Sequence, residues 1–401
     1  MAGLPSMLRG FTIRYAFSLG LLFRVILLAW AAWQDSALPI RYTDVDYDVF
    51  TGAADLVARG LSPYAQPGYR YPPLIAWMLV PGALLGIPWL WGRALFCFGD
   101  LLCFLSLENQ LVSEGANSPR AYAALFWLSP FAAVLSTRGS MDALSCFLIL
   151  LVLYPARSYV AGLWLGVAVY LRLYPVIFVL PVLNWFLFGA GGPRPKIASG
   201  FGLAPGLSFL VGVGASFSLL AGPSLWCHGW DAVSQAYLYH GSRVDAAHSF
   251  SPLWFHIHSS IAAGGNGGWA VAAPWSLLAA LALGALLWRD LPLCFFLQTL
   301  AFVSLNRVIT AQYFNWWAVF LPLLAPRCTL SFRATAALGG AWVAAYLHWL
   351  AWAYQLEHLQ RPVHRELGAA AWFFFAANAA VGFAAWRYRR NVSGEVRGKR
   401  A

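Results

Sequence analysis

AFSLGLLFRVILLAWAAW, at residues 16–33, is an apolar run close to the length that crosses a membrane as one helix. A hydrocarbon core of about 30 Å needs roughly 20 helical residues. Because a helix satisfies its own backbone hydrogen bonds, repeated runs of this kind predict an all-α polytopic membrane protein. Such runs recur at 74–86, 94–111, 121–136, 140–154, 159–171, 174–188, 199–221, 269–288, 291–305, 312–325, 334–352 and 368–386.

The composition agrees with this prediction and excludes two other classes of protein. Of the 401 residues, 60% are hydrophobic and 10% are charged, whereas a soluble domain carries about 25% charged residues. The net charge of +11 does not indicate nucleic-acid binding, because the arginines lie at the ends of the apolar runs and in the tail. The six cysteines form no CxxC pair, which favours buried free thiols over a metal site.

The basic segments orient the chain, since cytosolic loops are enriched in Lys and Arg. We place on the cytosolic side the N-terminus, interpreted as a signal anchor, the loop 189–198, the loop between Arg327 and Arg333, and the tail 387–401. Two long segments, 35–73 and 222–268, then lie on the opposite side.

Run 74–86 is short, follows Tyr71-Pro72-Pro73 and contains Pro81. We therefore interpret it as a re-entrant or interfacial piece. This leaves about twelve crossings (11–13) in a single domain that covers residues 1–401.

The charged residues that this topology brings to the far face come from many separate loops. Ionisable groups at membrane depth are costly, so they pair with one another or line a cavity. One polar cavity that opens on this face accounts for the whole set: Asp44, Asp46, Asp48, Arg70, Arg138, Asp142, Arg172, His240, Arg243, Asp245, His248 and Arg307.

The densest polar motif is Asp44-Val45-Asp46, just after the first span. Thr43 is predicted to cap a short interfacial helix that ends at Gly60, and acids suit the positive end of such a helix. The alternative is a base or metal cluster at the mouth of the cavity. Arg70 nearby is placed to pair with an acid or to hold a phosphate.

A second polar segment spans residues 237–252. His240, Arg243 and Asp245 suit a wall for an anionic substrate, although an incidental interfacial loop is the alternative. His256 and His258 lack a third ligand at a zinc-like spacing, so no zinc site is predicted.

Three further polar positions each have a structural alternative. Arg138 and Asp142 have the spacing of an intrahelical ion pair. Arg172 either snorkels or faces the cavity. Gln312, expected inside a membrane helix, either bonds a neighbouring helix or contacts substrate.

Taken together, these motifs resemble the GPI mannosyltransferase I catalytic subunits of the endoplasmic reticulum, which belong to the membrane-embedded GT-C glycosyltransferases. The resemblance covers most of the chain. It rests on segments 42–51, 60–64 with 69–71, 136–142, 173–175, 239–252 and 310–316.

This resemblance implies transfer of the first mannose, in α1,4 linkage and with inversion, from dolichyl-phosphate mannose to glucosaminyl-(acyl)phosphatidylinositol. It implies an endoplasmic reticulum membrane protein with a luminal active site, and a small single-pass partner subunit. Asp44 and Asp46 map onto the family's essential acids. Candidate substrate-binding residues are Asp48, Arg70, Tyr71, Arg138, Asp142, Arg172, Tyr174, His240, Arg243, Asp245, His248, Arg307, Gln312 and Tyr313.

Asp44 is predicted to be the base, or the acid that orients the acceptor, with Asp46 as its partner. Because the donor carries a single phosphate, we expect no obligatory metal, although Mn²⁺ or Mg²⁺ at Asp44 and Asp46 is the alternative. The chain departs from the family pattern at Val244, Ala247 and Ser249. Rival functions are a lipid transporter or flippase, and a GT-C enzyme with another sugar or acceptor.

Overall fold

A computed structural model describes residues 6–154, 157–189, 200–239, 248–268, 271 and 274–390. Helices are the regular secondary structure of the described residues, and they are joined by turns and loops; one isolated β-bridge pairs Cys328 with Arg389. The first ten helices are α1 (Ser6–Ala37), α2 (Val45–Ala58), α3 (Pro73–Leu84), α4 (Pro88–Ser113), α5 (Pro119–Trp127), α6 (Pro130–Arg138), α7 (Asp142–Leu153), α8 (Ser158–Leu171), α9 (Val179–Phe188) and α10 (Leu203–His228).

The remaining helices are mostly shorter. They are α11 (Asp231–Val233), α12 (Trp254–Ala262), α13 (Trp275–Leu287), α14 (Leu291–Ser304), α15 (Phe314–Ala318), α16 (Leu321–Leu324), α17 (Phe332–Glu357) and α18 (His364–Arg387). Short 3₁₀ turns occur at Pro63–Ala65, Tyr174–Phe178, Ala311–Tyr313 and Ala325–Arg327, and a π-helical turn at Ser234–Leu238.

The predicted all-α membrane class is confirmed. In the part of the chain that the structure describes, four helical segments are long and apolar enough to cross a membrane: Tyr15–Ala37, Pro88–Ser113, Leu203–His228 and His364–Arg387. The shorter apolar helices do not decide how many crossings there are, so the number of about twelve stays a prediction. Helix α3 has 12 residues, about 18 Å of helix, and its predicted re-entrant placement also stays a prediction.

Several apolar runs have different bounds from those predicted. Run 121–136 is two helices, because Pro130 lacks an amide proton and starts a new helix after Ser129. Run 312–325 is likewise broken into short pieces around Pro322. Helix α10 continues to His228, into the segment expected to be a loop from residue 222.

The chain divides into two compact units, residues 6–243 with 321–323 and residues 244–320 with 324–401. In the first unit, α8 and α10 cross at small residues. A methyl group on Gly162 would lie 2.1 Å from the Phe209 carbonyl oxygen, and one on Gly212 would lie 2.4 Å from the Tyr159 carbonyl oxygen. Such close backbone approach is typical of packed membrane helices.

A fully buried ion pair fastens α1 in the first unit. Arg24 donates from Nε and Nη2 to Asp100 Oδ2, at 3.0 and 2.7 Å, and from Nη1 to the carbonyls of Gly20 and Trp127. An unpaired charge at this depth would be costly, so the pair fixes α1 against α4 and the end of α5.

The second unit has an aromatic core. The Phe250 ring stacks on Trp349, with ring centroids 3.8 Å apart, and on Tyr346 at 5.3 Å. Phe374 of α18 lies 5.3 Å from Phe250. These rings join α17 and α18 to the chain that enters α12.

Candidate functional site

Helix α2 starts at the acid motif. Asp44 has extended backbone angles and its Oδ1 accepts a hydrogen bond of 3.0 Å from the Asp46 amide, so Asp44 is the N-cap. The predicted cap at Thr43 is wrong by one residue, because the Thr43 hydroxyl donates to Asp35 instead. Gly60, at φ +79°, follows the end of the helix as predicted.

The buried face of α2 fixes the direction in which its first turn points. Tyr47, Phe50 and Ala54 are buried, and the Tyr47 hydroxyl donates to the Pro88 carbonyl at 2.6 Å. Gly139, at φ +100°, packs against Tyr47, where an added methyl group would lie 2.3 Å from the ring. Glycine is therefore required at this turn for both its backbone angle and its size.

Asp44 lies against the C-terminal end of α6. Its backbone amide donates to the Arg138 carbonyl at 3.0 Å, and its Oδ2 lies 3.9 Å from Arg138 Nη2. Burial raises the pKa of Asp44, the neighbouring negative charge of Asp46 raises it further, and Arg138 opposes both. A carboxylate with a raised pKa is a stronger base than an exposed aspartate.

A chain of contacts leads from Asp46 through Tyr71 and Arg172 to Asp142. The Tyr71 hydroxyl donates to Asp46 Oδ2 at 2.7 Å, and the Arg172 guanidinium lies 5.3 Å from the centre of the Tyr71 ring. Arg172 Nη2 lies 3.1 Å from Asp142 Oδ1, and Asp142 Oδ2 accepts from the Ser140 hydroxyl at 2.7 Å.

These contacts form a continuous row of polar groups, which we call the polar seam: Asp44, Asp46, Tyr71, Arg138, Asp142 and Arg172. The six residues come from α2, α6, α7 and the loops after residues 60 and 171. The seam brings together two carboxylates at a helix start and two arginines, which is the combination that a base and an anionic leaving group require.

The alternative of an Arg138–Asp142 pair within one helix is wrong. Arg138 ends α6 and Asp142 begins α7, with Gly139 in a left-handed conformation between them. Each of the two residues pairs with a different partner on the seam.

Three other candidates of the first unit lie outside the seam contacts described above. Asp48 is exposed and pairs with Arg41 at 2.6 Å. Arg70 donates to Gln235 Oε1 and lies over the Tyr239 ring, at 4.5 Å from its centre. Tyr174 is buried at the start of a 3₁₀ turn.

The second unit carries the remaining described candidates. His248 Nε2 lies 3.2 Å from Glu357 Oε1, and the His248 ring stacks on Trp349. Arg307 Nη2 donates to the Val271 carbonyl at 2.7 Å.

Gln312 and Tyr313 lie in a 3₁₀ turn, and Tyr313 stacks on Trp316 with ring centroids 4.2 Å apart. The expectation that Gln312 lies inside a membrane helix is wrong, because the helix begins only at Phe314. His240, Arg243 and Asp245 lie outside the described residues, as do Val244 and Ala247. Ser249 is buried, and its hydroxyl accepts from the Ser251 amide.

No cluster of three or more His, Cys, Asp or Glu side chains suited to a metal ion occurs among the described residues. Asp44 and Asp46 already have protein partners, the Asp46 amide and the Tyr71 hydroxyl.

Sequence reasoning missed two residues beside the acid motif, the half-buried Asp35 and the buried Arg93. Arg93 Nη2 lies 3.6 Å from Asp35 Oδ2, and both contact the Thr43 hydroxyl. The available signal was an acid two residues after the predicted span 16–33, where the helix was able to continue, because a helix C-terminus disfavours negative charge.

Comparison with known proteins assigns the family. Residues 135–383 match the family described as mannosyltransferase (PIG-M). The chain is 35% identical to the GPI alpha-1,4-mannosyltransferase I catalytic subunit of Danio rerio, over 91% of this chain and 94% of that protein. It is 36% identical to GPI mannosyltransferase 1 of Aspergillus fumigatus, over 88% and 92%. The Saccharomyces cerevisiae protein of that name is 32% identical, over 90% and 91%.

The family match covers the last turn of α6 and all of α7, and the aligned relatives extend over nearly the whole chain. The all-α membrane fold is the one expected for a GT-C enzyme, so fold and sequence agree. The chain belongs to the PIG-M family of mannosyltransferases and is a glycosyltransferase.

Proposed function

We propose that this enzyme adds the first mannose of the GPI anchor. It transfers mannose from dolichyl-phosphate mannose to glucosaminyl-(acyl)phosphatidylinositol and forms an α1,4 bond. The names of the aligned relatives support this reaction. The polar seam is the observation that carries the chemistry, because it joins three carboxylates and two arginines within one unit. Membership of a mannosyltransferase family favours an enzyme over the lipid-transporter alternative.

In the proposed mechanism Asp44 is the general base. The acceptor hydroxyl oxygen attacks the anomeric carbon of the β-linked donor and its proton passes to the Asp44 carboxylate. The bond from the anomeric carbon to the phosphate oxygen breaks, and dolichyl phosphate leaves from the opposite face, so the product is α-linked. Asp46 holds Asp44 in place through its amide and raises its pKa through its charge.

Arginines of the seam are proposed to stabilise the leaving phosphate. Arg172 and Arg138 each lie beside a seam carboxylate, within the same row of contacts as Asp44. Arginine suits this role because its planar guanidinium donates two parallel hydrogen bonds to a phosphate. Arg70, His240, Arg243 and Arg307 stay candidates for contacts farther along the donor or the acceptor, and Tyr71 for a sugar face.

The same proposal includes a cellular setting. We propose that the enzyme lies in the endoplasmic reticulum membrane, where its substrates occur, and that the seam is luminal and both termini are cytosolic, as the distribution of basic residues predicts. Segments 35–73 and 222–268 would be luminal and the tail 387–401 cytosolic. We further propose a small single-pass partner subunit and no obligatory metal.

Transfer of radiolabelled mannose in microsomes tests the proposal. The full-length chain, expressed with its partner subunit, should convert glucosaminyl-phosphatidylinositol into a mannosylated lipid that α-mannosidase cleaves. Asp44→Ala should abolish the product at equal protein level. Transfer that persists in Asp44→Ala would refute the base assignment, whereas a wild-type chain without transfer would refute the substrate assignment.

A further inference from the structure

An ion pair between the buried Arg93 and the half-buried Asp35 holds the short segment that precedes Asp44. Asp35 lies in the last turn of α1 and Arg93 in the second turn of α4. Arg93 Nη2 lies 3.6 Å from Asp35 Oδ2, and the two side chains are 0% and 14% exposed. The Arg93 guanidinium also lies over the Trp89 ring, at 4.1 Å from its centre. This pair is separate from the polar seam.

The Asp35 carboxylate accepts three hydrogen bonds from the segment after α1. Its Oδ1 accepts from the Tyr42 and Thr43 amides at 2.6 and 3.0 Å. Its Oδ2 accepts from the Thr43 hydroxyl, to which Arg93 Nη2 also donates. Thr43 is therefore held from two sides by oppositely charged groups.

Asp44 follows directly, and its amide donates to the Arg138 carbonyl at 3.0 Å. Three consecutive backbone amides, those of residues 42, 43 and 44, are thus each bound to a group outside the segment. The Tyr42 side chain adds a fourth tie, since its hydroxyl lies 2.7 Å from Thr137 Oγ1. A residue that follows such a run has little freedom to move.

Helix packing alone does not account for this pair. A carboxylate in the last turn of a helix opposes the helix dipole, and a fully buried arginine such as Arg93 is costly where an apolar residue would pack as well. Local rules are broken in this way most often at functional sites. The residue that the pair holds, Thr43, precedes Asp44.

We infer that Asp35 and Arg93 are positioning residues of the transfer reaction, which act through Thr43 to fix the Asp44 carboxylate; this inference rests on the proposed function. Neither residue touches substrate in this account. They act by holding the base where the acceptor hydroxyl arrives.

The matched variants Thr43→Val and Thr43→Ser test the inference without changing any charge. Valine keeps the shape of threonine and removes the hydroxyl, whereas serine keeps the hydroxyl. We expect Thr43→Val to lower kcat for mannose transfer about tenfold or more, because misplacement by about 1 Å can cost about 100-fold. KM should stay within about twofold, and Thr43→Ser should restore most of kcat.

Asp35→Asn provides the second variant, and Asp55→Asn is its control. Asp55 is an exposed acid of α2 that pairs with Arg59 across one turn. We expect Asp35→Asn to lose kcat about 10- to 100-fold with little change in KM, and Asp55→Asn to retain wild-type values. The full-length chain is assayed in microsomes, at protein levels matched by immunoblot.

The pH profile separates positioning from a purely structural role. Asp44 faces Asp46 of its own helix, Arg138 of α6 and Asp142 of α7. Loosening of the segment admits water to Asp44 and lowers its pKa. The acid limb of kcat/KM should therefore move to lower pH in Thr43→Val and stay in place in Asp55→Asn.

Full kcat in Thr43→Val would overturn the inference. So would a fall of kcat and KM together with an unmoved acid limb, or a Thr43→Ser variant as slow as Thr43→Val. If Asp35→Asn does not accumulate, the Thr43 variants alone test the inference. Absence of mannose transfer in the wild-type chain would overturn the proposed function instead. The pH dependence of Asp44 modification by a carbodiimide does not require activity, so it would still test whether Asp35 and Arg93 hold Asp44.

Discussion

Helix α2 carries acids in two settings, and the contrast between them identifies the site better than charge does. Asp44 and Asp46 lie at its start, half-buried, with partners from α6 and the loop before α3. Asp48 and Asp55 lie farther along and pair at the surface, each with a nitrogen–oxygen distance of 2.6 Å. The Asp44–Arg138 distance is longer, at 3.9 Å.

The shortest ion pairs of this helix are therefore not the informative ones. The side chains of the Arg59–Asp55 pair are 67% and 49% exposed, and such pairs contribute about 0–1 kcal/mol. In the seam, burial and converging partners change what a carboxylate does chemically. The variants below compare seam residues with exposed residues and test this difference.

The largest expected effect is on transfer by Asp44→Asn. The amide keeps the size of the side chain and a capping oxygen, but it cannot accept a proton. We expect mannose transfer to fall about 10²- to 10⁴-fold, with Asp55→Asn within about twofold of wild type. Equal losses in the two variants, measured by radiolabelled transfer at matched protein level, would remove the distinction between the two sets of acids.

The buried pair of the seam should matter for stability as well. Arg172→Met leaves Asp142 buried without its charged partner, which typically costs about 3–5 kcal/mol. Arg59→Met, at the exposed pair, should cost at most about 1 kcal/mol. Thermal unfolding of the two variants in detergent compares them. A similar small change in the unfolding midpoints of both variants would contradict a stabilising role for the Arg172–Asp142 pair.

A smaller effect is expected for Tyr71→Phe, which removes one hydroxyl and keeps the ring. The lost hydrogen bond to Asp46 is charge-assisted, a class worth about 1.5–3 kcal/mol, so we expect kcat to fall about tenfold. Tyr64→Phe is a matched control, since the Tyr64 hydroxyl donates to the Tyr71 carbonyl rather than to an acid. A Tyr71→Phe variant with wild-type kcat would show that the Tyr71 hydroxyl has no role in the reaction.

The smallest expected effect is that of metal removal. We expect transfer to stay within about twofold of its starting rate in strong chelator, because a single phosphate gives a cation less to hold than a diphosphate does. A loss of activity that Mn²⁺ or Mg²⁺ restores would instead make the Asp44–Asp46 motif a metal site.

Much of this arrangement is predictable from the sequence, because lipid imposes a strong pattern. Apolar runs identify the helices. The acid motif predicts the start of α2 to within one residue, and Gly60 correctly marks its end. Resemblance to a family selects Asp44 and Asp46 among the acids of that segment. The partner of each charge is harder to predict, since it depends on which helix ends meet.

Arg138 and Asp142 show the difficulty. Their spacing fits one helix, but α6 ends at Arg138 and the left-handed Gly139 changes the chain direction. Each residue therefore pairs with a different partner. Asp35 and Arg93 were missed for a related reason, because their contact joins the end of α1 to the start of α4 across a long stretch of chain. Long-range pairs of this kind leave no periodic signal in sequence.

The pH dependence of kcat/KM tests the central claim, that Asp44 is a base tuned by its neighbours. The base must be ionised, and its pKa lies above that of an ordinary aspartate, so activity should fall on acidification at a higher pH than for an exposed aspartate. Asp46→Asn removes a like charge, which lowers the pKa of Asp44, and should move the acid limb to lower pH. Arg138→Gln removes an opposite charge and should move it to higher pH. An acid limb that stays in place in both variants, or shifts the same way in both, would contradict the account.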